Sequence, residues 1–201
     1  MYKTFGTSMG KEEKEKKGDA EENELSVKFL KTRQIVLSGE INKELAEKIA
    51  RQLLILEADS SDPIRLFIDS PGGDADAGFA IFDMIRFINA PVYTIGMGLI
   101  ASAASLVLLA SPKERRIALP NSRYLIHQPL SGIRGVATEI EIHAKELEKM
   151  REKINALIAE ETGKNVDLVK NDTERDFWLD ANEACEYGLV SKIVTKRAEL
   201  A

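Results

Sequence analysis

A chain of 201 residues is long enough for one domain with a real core and short for two. Its 44% hydrophobic and 30% charged residues are ordinary for a globular protein, and a net charge of -5 at pH 7 argues against a nucleic-acid binder, whose phosphate contacts need a basic face. No apolar run reaches the ~20 residues of a membrane span, since the longest, Ala101 to Ala110, is interrupted by Ser102 and Ser105.

In chain order, Lys11 to Glu24 is dominated by Lys and Glu without apolar periodicity, which predicts a disordered or mobile charged arm over residues 1–24. Residues 25–201 then read as a single domain. The N-terminus has no signal-peptide pattern and is too acidic for a transit peptide. The lone Cys185 excludes an intrachain disulfide and reads as a small packing residue. A cytoplasmic enzyme fits these features.

Gln34 to Leu37 reads as a strand, and Leu45, Ile49, Leu53 and Leu56 recur at helical spacing after an Asn42 cap. Ile64 to Ile68 is a second strand, ended by Ser70-Pro71-Gly72-Gly73. Phe79, Phe82, Ile85 and Ile88 mark a helix, and Pro91 to Ile95 a third strand. A helix is expected from near Ser102 through Leu109. Lys113, Arg115 and Arg116, interrupted by Glu114, read as a solvated turn before strands at Arg116 to Leu119 and Tyr124 to Ile126. Thr138-Glu139-Ile140-Glu141 has the form of a capping box and Gly163 that of a C-terminal cap. Between them Ile140, Ala144, Leu147, Met150, Ile154 and Leu157 form one apolar stripe, predicting a helix of ~24 residues, or ~36 Å. So long a helix projects beyond its own core, and its stripe needs a partner. A short helix, Ala181 to Tyr187, closes at Gly188 before a last strand, Leu189 to Val194. Strands alternating with helices predict an α/β domain with a largely parallel sheet.

The chemistry rests on few residues. Serine needs a neighbouring base to attack an amide, and the chain has two histidines. His143 sits in the charged long helix, two residues after Glu141, and reads as a surface or contact residue. His127 ends the strand Tyr124-Leu125-Ile126, where it can face a cleft or serve as a hydrogen-bonded structural histidine. Ser102 follows Gly96-Met97-Gly98 at a strand-to-helix junction, where unpaired backbone N–H groups can hold an oxyanion. It can equally be a helix cap, and Gly72-Gly73 a simple turn. Gly96 to Ala101 also matches the dinucleotide pattern G-x-G-x-x-A, but the next strand ends at Leu119-Pro120-Asn121, without the acidic residue that pattern expects. One Cys and two separated histidines give no metal-ligand spacing.

Together these residues resemble the proteolytic subunit of the Clp protease, the ClpP family. The matching stretches include Ile68-Asp69-Ser70-Pro71-Gly72-Gly73, Gly98 to Ser102, Pro120-Asn121-Ser122-Arg123, Ile126-His127-Gln128-Pro129, Ala137 to Lys145 and Asp172-Thr173-Glu174-Arg175-Asp176. Ala181-Asn182-Glu183-Ala184 and Tyr187-Gly188-Leu189-Val190 complete a likeness that spans about Thr32 to Thr195. It implies a ClpP/crotonase-like spiral of βαβ units with a long protruding handle helix (about 131–163). It implies a serine endopeptidase with Ser102 as nucleophile, His127 as base and Asp176, not Asp172, as the acid. The backbone N–H groups of Gly73 and Ala103 would be the oxyanion donors.

The resemblance further implies unfolded polypeptide substrates fed by a separate AAA+ unfoldase. ATP is then used by that partner, and no cofactor by this chain. The assembly implied is a homo-oligomer of two stacked heptameric rings, or mixed rings with a second ClpP-like subunit. Three features depart from the family: Ala103 replaces a usual methionine, Arg65 stands where many members carry an aromatic residue, and the segment before Leu25 does not look like the family's pore loops. The alternatives are a non-cleaving structural partner on this fold and a crotonase-like acyl-CoA enzyme.

Overall fold

The computed structural model describes residues 25–200, so the charged arm expected over 1–24 lies outside the described residues. Residues 25–30 are helical (α1). Strand β1 (Gln34–Ser38) leads to helix α2 (Lys43–Asp59), which Asn42 caps by accepting from the Leu45 N–H at 2.8 Å. Strand β2 (Ile64–Ser70), helix α3 (Ala75–Phe87), strand β3 (Val92–Ala101) and helix α4 (Ala103–Leu109) repeat the alternation. Short strands β4 (Arg116–Ala118) and β5 (Arg123–Ile126) precede the long helix α5 (Ala137–Thr162). Helix α6 (Val166–Asp172), strand β6 (Phe177–Leu179), helix α7 (Ala181–Tyr187) and strand β7 (Lys192–Ile193) come after it.

The sheet order is β1-β2-β3-β4-β7, all parallel, with β5 parallel to the far half of β3 and β6 antiparallel to β5. One strand thus has two successive neighbours on one side. A register shift allows this: Ile68 pairs with Gly96, but Ser70 pairs with Ile100. The Asp69 carboxylate accepts from the Leu99 N–H at 3.0 Å across that irregularity. Beyond it β3 runs beside β5, carrying its end toward the functional residues.

Helices α2, α3 and α4 cover one face of the sheet, where Ile49, Leu53, Ile81, Phe82, Leu106 and Val107 are buried against Leu37, Leu66 and Ile68. A smaller cluster of Ile95, Ile117, Val194 and Leu200 lies apart from it.

Several expectations need correction. Arg116 is not in a solvated turn: it is buried at 1% exposure, donating from Nε to the Ser111 carbonyl (2.6 Å) and from Nη1 to that of Glu161 (2.9 Å) and pairing with the Glu161 carboxylate. Burial pulls its guanidinium pKa down, and Glu161 pushes it back up. Thr138 is not the cap of α5. The helix begins two residues earlier, at Ala137, and Glu139 accepts from the Val136 N–H at 3.3 Å. The last strand is only Lys192–Ile193, while α6 and β6 are additional elements.

The apolar stripe of α5 does not wait whole for a partner. Ile154 is buried in the core, Leu147, Met150 and Leu157 are half-buried, and Ile140 and Ala144 stand exposed. Along the outer half, the Lys145–Glu141 and Lys149–Glu146 ion pairs support the helix. Among the described residues no helix is long and apolar enough to cross a membrane.

Candidate active site

The site lies beyond the carboxyl ends of β3 and β5, where open parallel sheets leave a crevice. In the β3–β5 ladder Ala101 pairs with Leu125, and the Ser102 N–H donates to the Leu125 carbonyl at 2.9 Å. Ser102 therefore leaves its strand alongside the strand that ends before His127. The β5–β6 ladder runs antiparallel, with Ile126 opposite Phe177. One more step of the same register sets His127 opposite Asp176, and His127 Nδ1 lies 2.9 Å from Asp176 Oδ1. Asp172 faces elsewhere, its Oδ2 accepting from the Tyr187 hydroxyl at 2.8 Å. With Nδ1 bound to a carboxylate, the ring presents Nε2 as its free acceptor.

Ser102 and His127 line one cavity of about 550 Å³, together with Gly73, Ala103, Leu106, Leu125, Met150, Ile154 and Ile158. No hydrogen bond joins Ser102 to His127. Such contacts often tighten only when substrate is bound. The His127 side chain is mostly covered (13% exposed), whereas that of Asp176 is 61% exposed.

Ser102 adopts φ 55° and ψ -121°, in the positive-φ region where a side chain is strained. That turn aims the residue out of the strand as α4 begins. Ala103 is the first residue of α4, so its N–H has no intrahelical carbonyl to bond. Gly73 reaches the same cavity by another route. Ile41 and Gly73 form a parallel bridge whose bonds run from the Ile41 N–H to the Gly72 carbonyl (2.7 Å) and from the Asp74 N–H to the Ile41 carbonyl (2.8 Å). The Gly73 N–H takes no part in that bridge. Glycine is required here: at φ +91°, a Cβ on Gly72 would meet the Ala101 carbonyl at 2.6 Å and Ser102 Cβ at 2.8 Å, and one on Gly73 would strike the Ile41 backbone.

Sequence reasoning missed the place of one residue. His143, read as a surface or contact residue, is half-buried, bonds the Ser131 hydroxyl at 2.7 Å and lines the same cavity as Ser102 and His127. Its place four residues before Leu147 on the apolar stripe was the available signal. Gly96 to Ala101 lies within β3, so no turn stands where a dinucleotide fingerprint would need one. Among the described residues no group of three or more His, Cys, Asp or Glu converges as metal ligands would.

The Clp protease family model matches residues 16–197. The proteolytic subunit 2 of the ATP-dependent Clp protease of Treponema denticola is 66% identical over 197 residues, covering 98% of each chain. Its counterpart in Treponema pallidum is 64% identical over 94% of this chain and 96% of its own. Among solved structures, a mutant ClpP1 of Listeria monocytogenes superposes with a TM-score of 0.83 at 50% identity, over 88% of this chain and 99% of its own.

Proposed function

The chain belongs to the Clp protease family, whose proteolytic subunits are oligomeric serine endopeptidases that work with separate ATPase partners, and on that premise we propose how this site cuts a peptide bond. Ser102 is the nucleophile. His127 Nε2 takes the hydroxyl proton as Oγ attacks the scissile carbonyl, and the imidazolium returns it to the leaving amine. Asp176 holds the ring through Nδ1 and stabilises its charge. The developing oxyanion is received by the N–H groups of Gly73 and Ala103. Water then repeats the sequence on the acyl-enzyme, releasing the second product and restoring Ser102. The observation that carries this reading is the His127–Asp176 contact, with His127 and Ser102 lining one cavity.

Residues 25–201 act as one peptidase domain with its handle over about 131–163. The assembly is two stacked heptameric rings, homomeric or mixed with a second ClpP-like subunit, enclosing the sites. It works in the cytoplasm on unfolded polypeptides delivered by an AAA+ unfoldase, and this chain carries no cofactor of its own. Leu106, Met150, Ile154 and Ile158 give the cavity an apolar wall, while Asp74, Asp76 and Glu146 stand on its lining. An apolar side chain beside the scissile bond is favoured and an acidic one disfavoured.

The test is turnover of a fluorogenic peptide by Ser102→Ala and His127→Ala particles of unchanged mass. Each loses nearly all activity, because removing one member of a nucleophile–base unit costs almost the whole effect. Wild-type turnover by Ser102→Ala would remove the assignment.

A further inference from the structure

The Asp176 side chain is largely exposed, so its own packing does not fix it opposite His127. Of the four residues between α6 and β6, only Thr173 is buried, at 1% exposure. Its carbonyl accepts from the Gln128 N–H at 2.7 Å, and the Glu174 carbonyl accepts from Gln128 Nε2 at 2.7 Å. The residue after His127 is therefore tied twice to the segment that ends in Asp176. The Thr173 hydroxyl lies 2.7 Å from Asn155 Oδ1 on α5 and 2.8 Å from the Val169 carbonyl. Asn155 is 2% exposed and belongs to the half of α5 that packs into the core.

A hydroxyl has one proton, and both contacts are met together if the Asn155 amide turns so that Nδ2 donates to Oγ1. Nothing about capping α6 requires this second partner, since the Thr173 N–H already bonds the Val169 carbonyl at 2.9 Å. The Asn155 contact instead joins the segment to the core half of the long helix.

We propose that Thr173 and Asn155 are positioning residues: their buried bond fixes the Gln128 and Asp176 segments to α5 and so holds His127 and Asp176 in register. The proposal rests on the reading of Ser102, His127 and Asp176 as the catalytic unit. Neither residue touches substrate; both act through the His127–Asp176 pair. Because α5 also projects exposed apolar residues, a shift of the helix is carried by the same bond to the site.

The experiment measures kcat and KM of the full particle for one fluorogenic peptide, with mass followed by light scattering. Thr173→Val lowers kcat roughly 10- to 100-fold, the scale of a small misplacement, with KM within about threefold of wild type. Thr173→Ser, which keeps the hydroxyl, restores turnover. The pair Asn155→Leu with Thr173→Val replaces both polar partners by apolar ones, so the fold is kept while the tie is cut, and its kcat stays low. In an Asp176→Asn background Thr173→Val has little further effect, because both act on one unit. Wild-type kcat in the double apolar variant, or a full additive loss on top of Asp176→Asn, would overturn the proposal. Wild-type turnover by Asp176→Asn alone would instead overturn the reading of the site, and the proposal with it.

Discussion

Ser102 is held at φ 55°, a conformation that costs a non-glycine residue about 1–3 kcal/mol. Ser102→Gly is therefore expected to be more stable than Ser102→Ala by about 1 kcal/mol, since strain relief exceeds glycine's added chain entropy. Denaturant unfolding of the two variants measures this; equal midpoints would mean the strain is not stored at this residue. At the neighbouring acid, Asp176→Asn keeps the fold and loses most turnover, whereas Asp172→Asn loses only the Tyr187 hydroxyl contact and retains far more. Equal, severe losses in intact particles would leave the assignment without support. Ser102 and His127 were legible as a serine at a strand-to-helix junction and a histidine at a strand end. The choice of Asp176 was not legible from spacing and came from the resemblance alone. The register that sets it opposite His127 runs through Phe177-Trp178-Leu179, a strand too short to show alternation. The strain at Ser102 left no trace in the sequence, because any small residue could occupy that junction.

At the scale of elements, the alternating pattern that predicted an α/β domain comes from strands whose alternate residues are fully buried, such as Ile35, Leu37, Leu66 and Ile68. Helix α5 was legible because Gly163 stops it in the left-handed conformation and its stripe repeats at 3.6 residues. What the stripe packs against was not legible, since that depends on partners far along the chain. Arg116 was misread for the same reason: its charge looked solvated beside Lys113 and Arg115, while its partner Glu161 lies at the end of α5. That carboxylate also pairs with Arg86, so the base of α5 is clamped to both α3 and β4. Arg116→Met should strand part of this cluster in a buried place and cost about 3–5 kcal/mol of stability. Chemical denaturation checks it, and a loss below about 1 kcal/mol would mean that the pair is as weak as an exposed one.

For the whole molecule, the division of α5 into a buried and an exposed half separates folding from assembly. Ile140 and Ile142 are 44% and 57% exposed, and Leu130 and Val136 just before the helix are 82% and 65% exposed. Burying an isoleucine is worth about 1.5–3 kcal/mol, so a partner subunit gains by covering them. Ile140→Asp with Ile142→Asp is expected to split the particle into folded smaller species in light scattering. Ile154→Asp is expected to unfold the domain, because Ile154 is 6% exposed in its own core. Full particle mass in the first variant would place the contact elsewhere. Whether Ser102 is the nucleophile is decided by labelling the wild-type particle with a fluorophosphonate and mapping the modified peptide. Labelling is predicted on Ser102 alone, lost in His127→Ala; an unlabelled Ser102 in a particle that still cuts peptides would contradict the assignment.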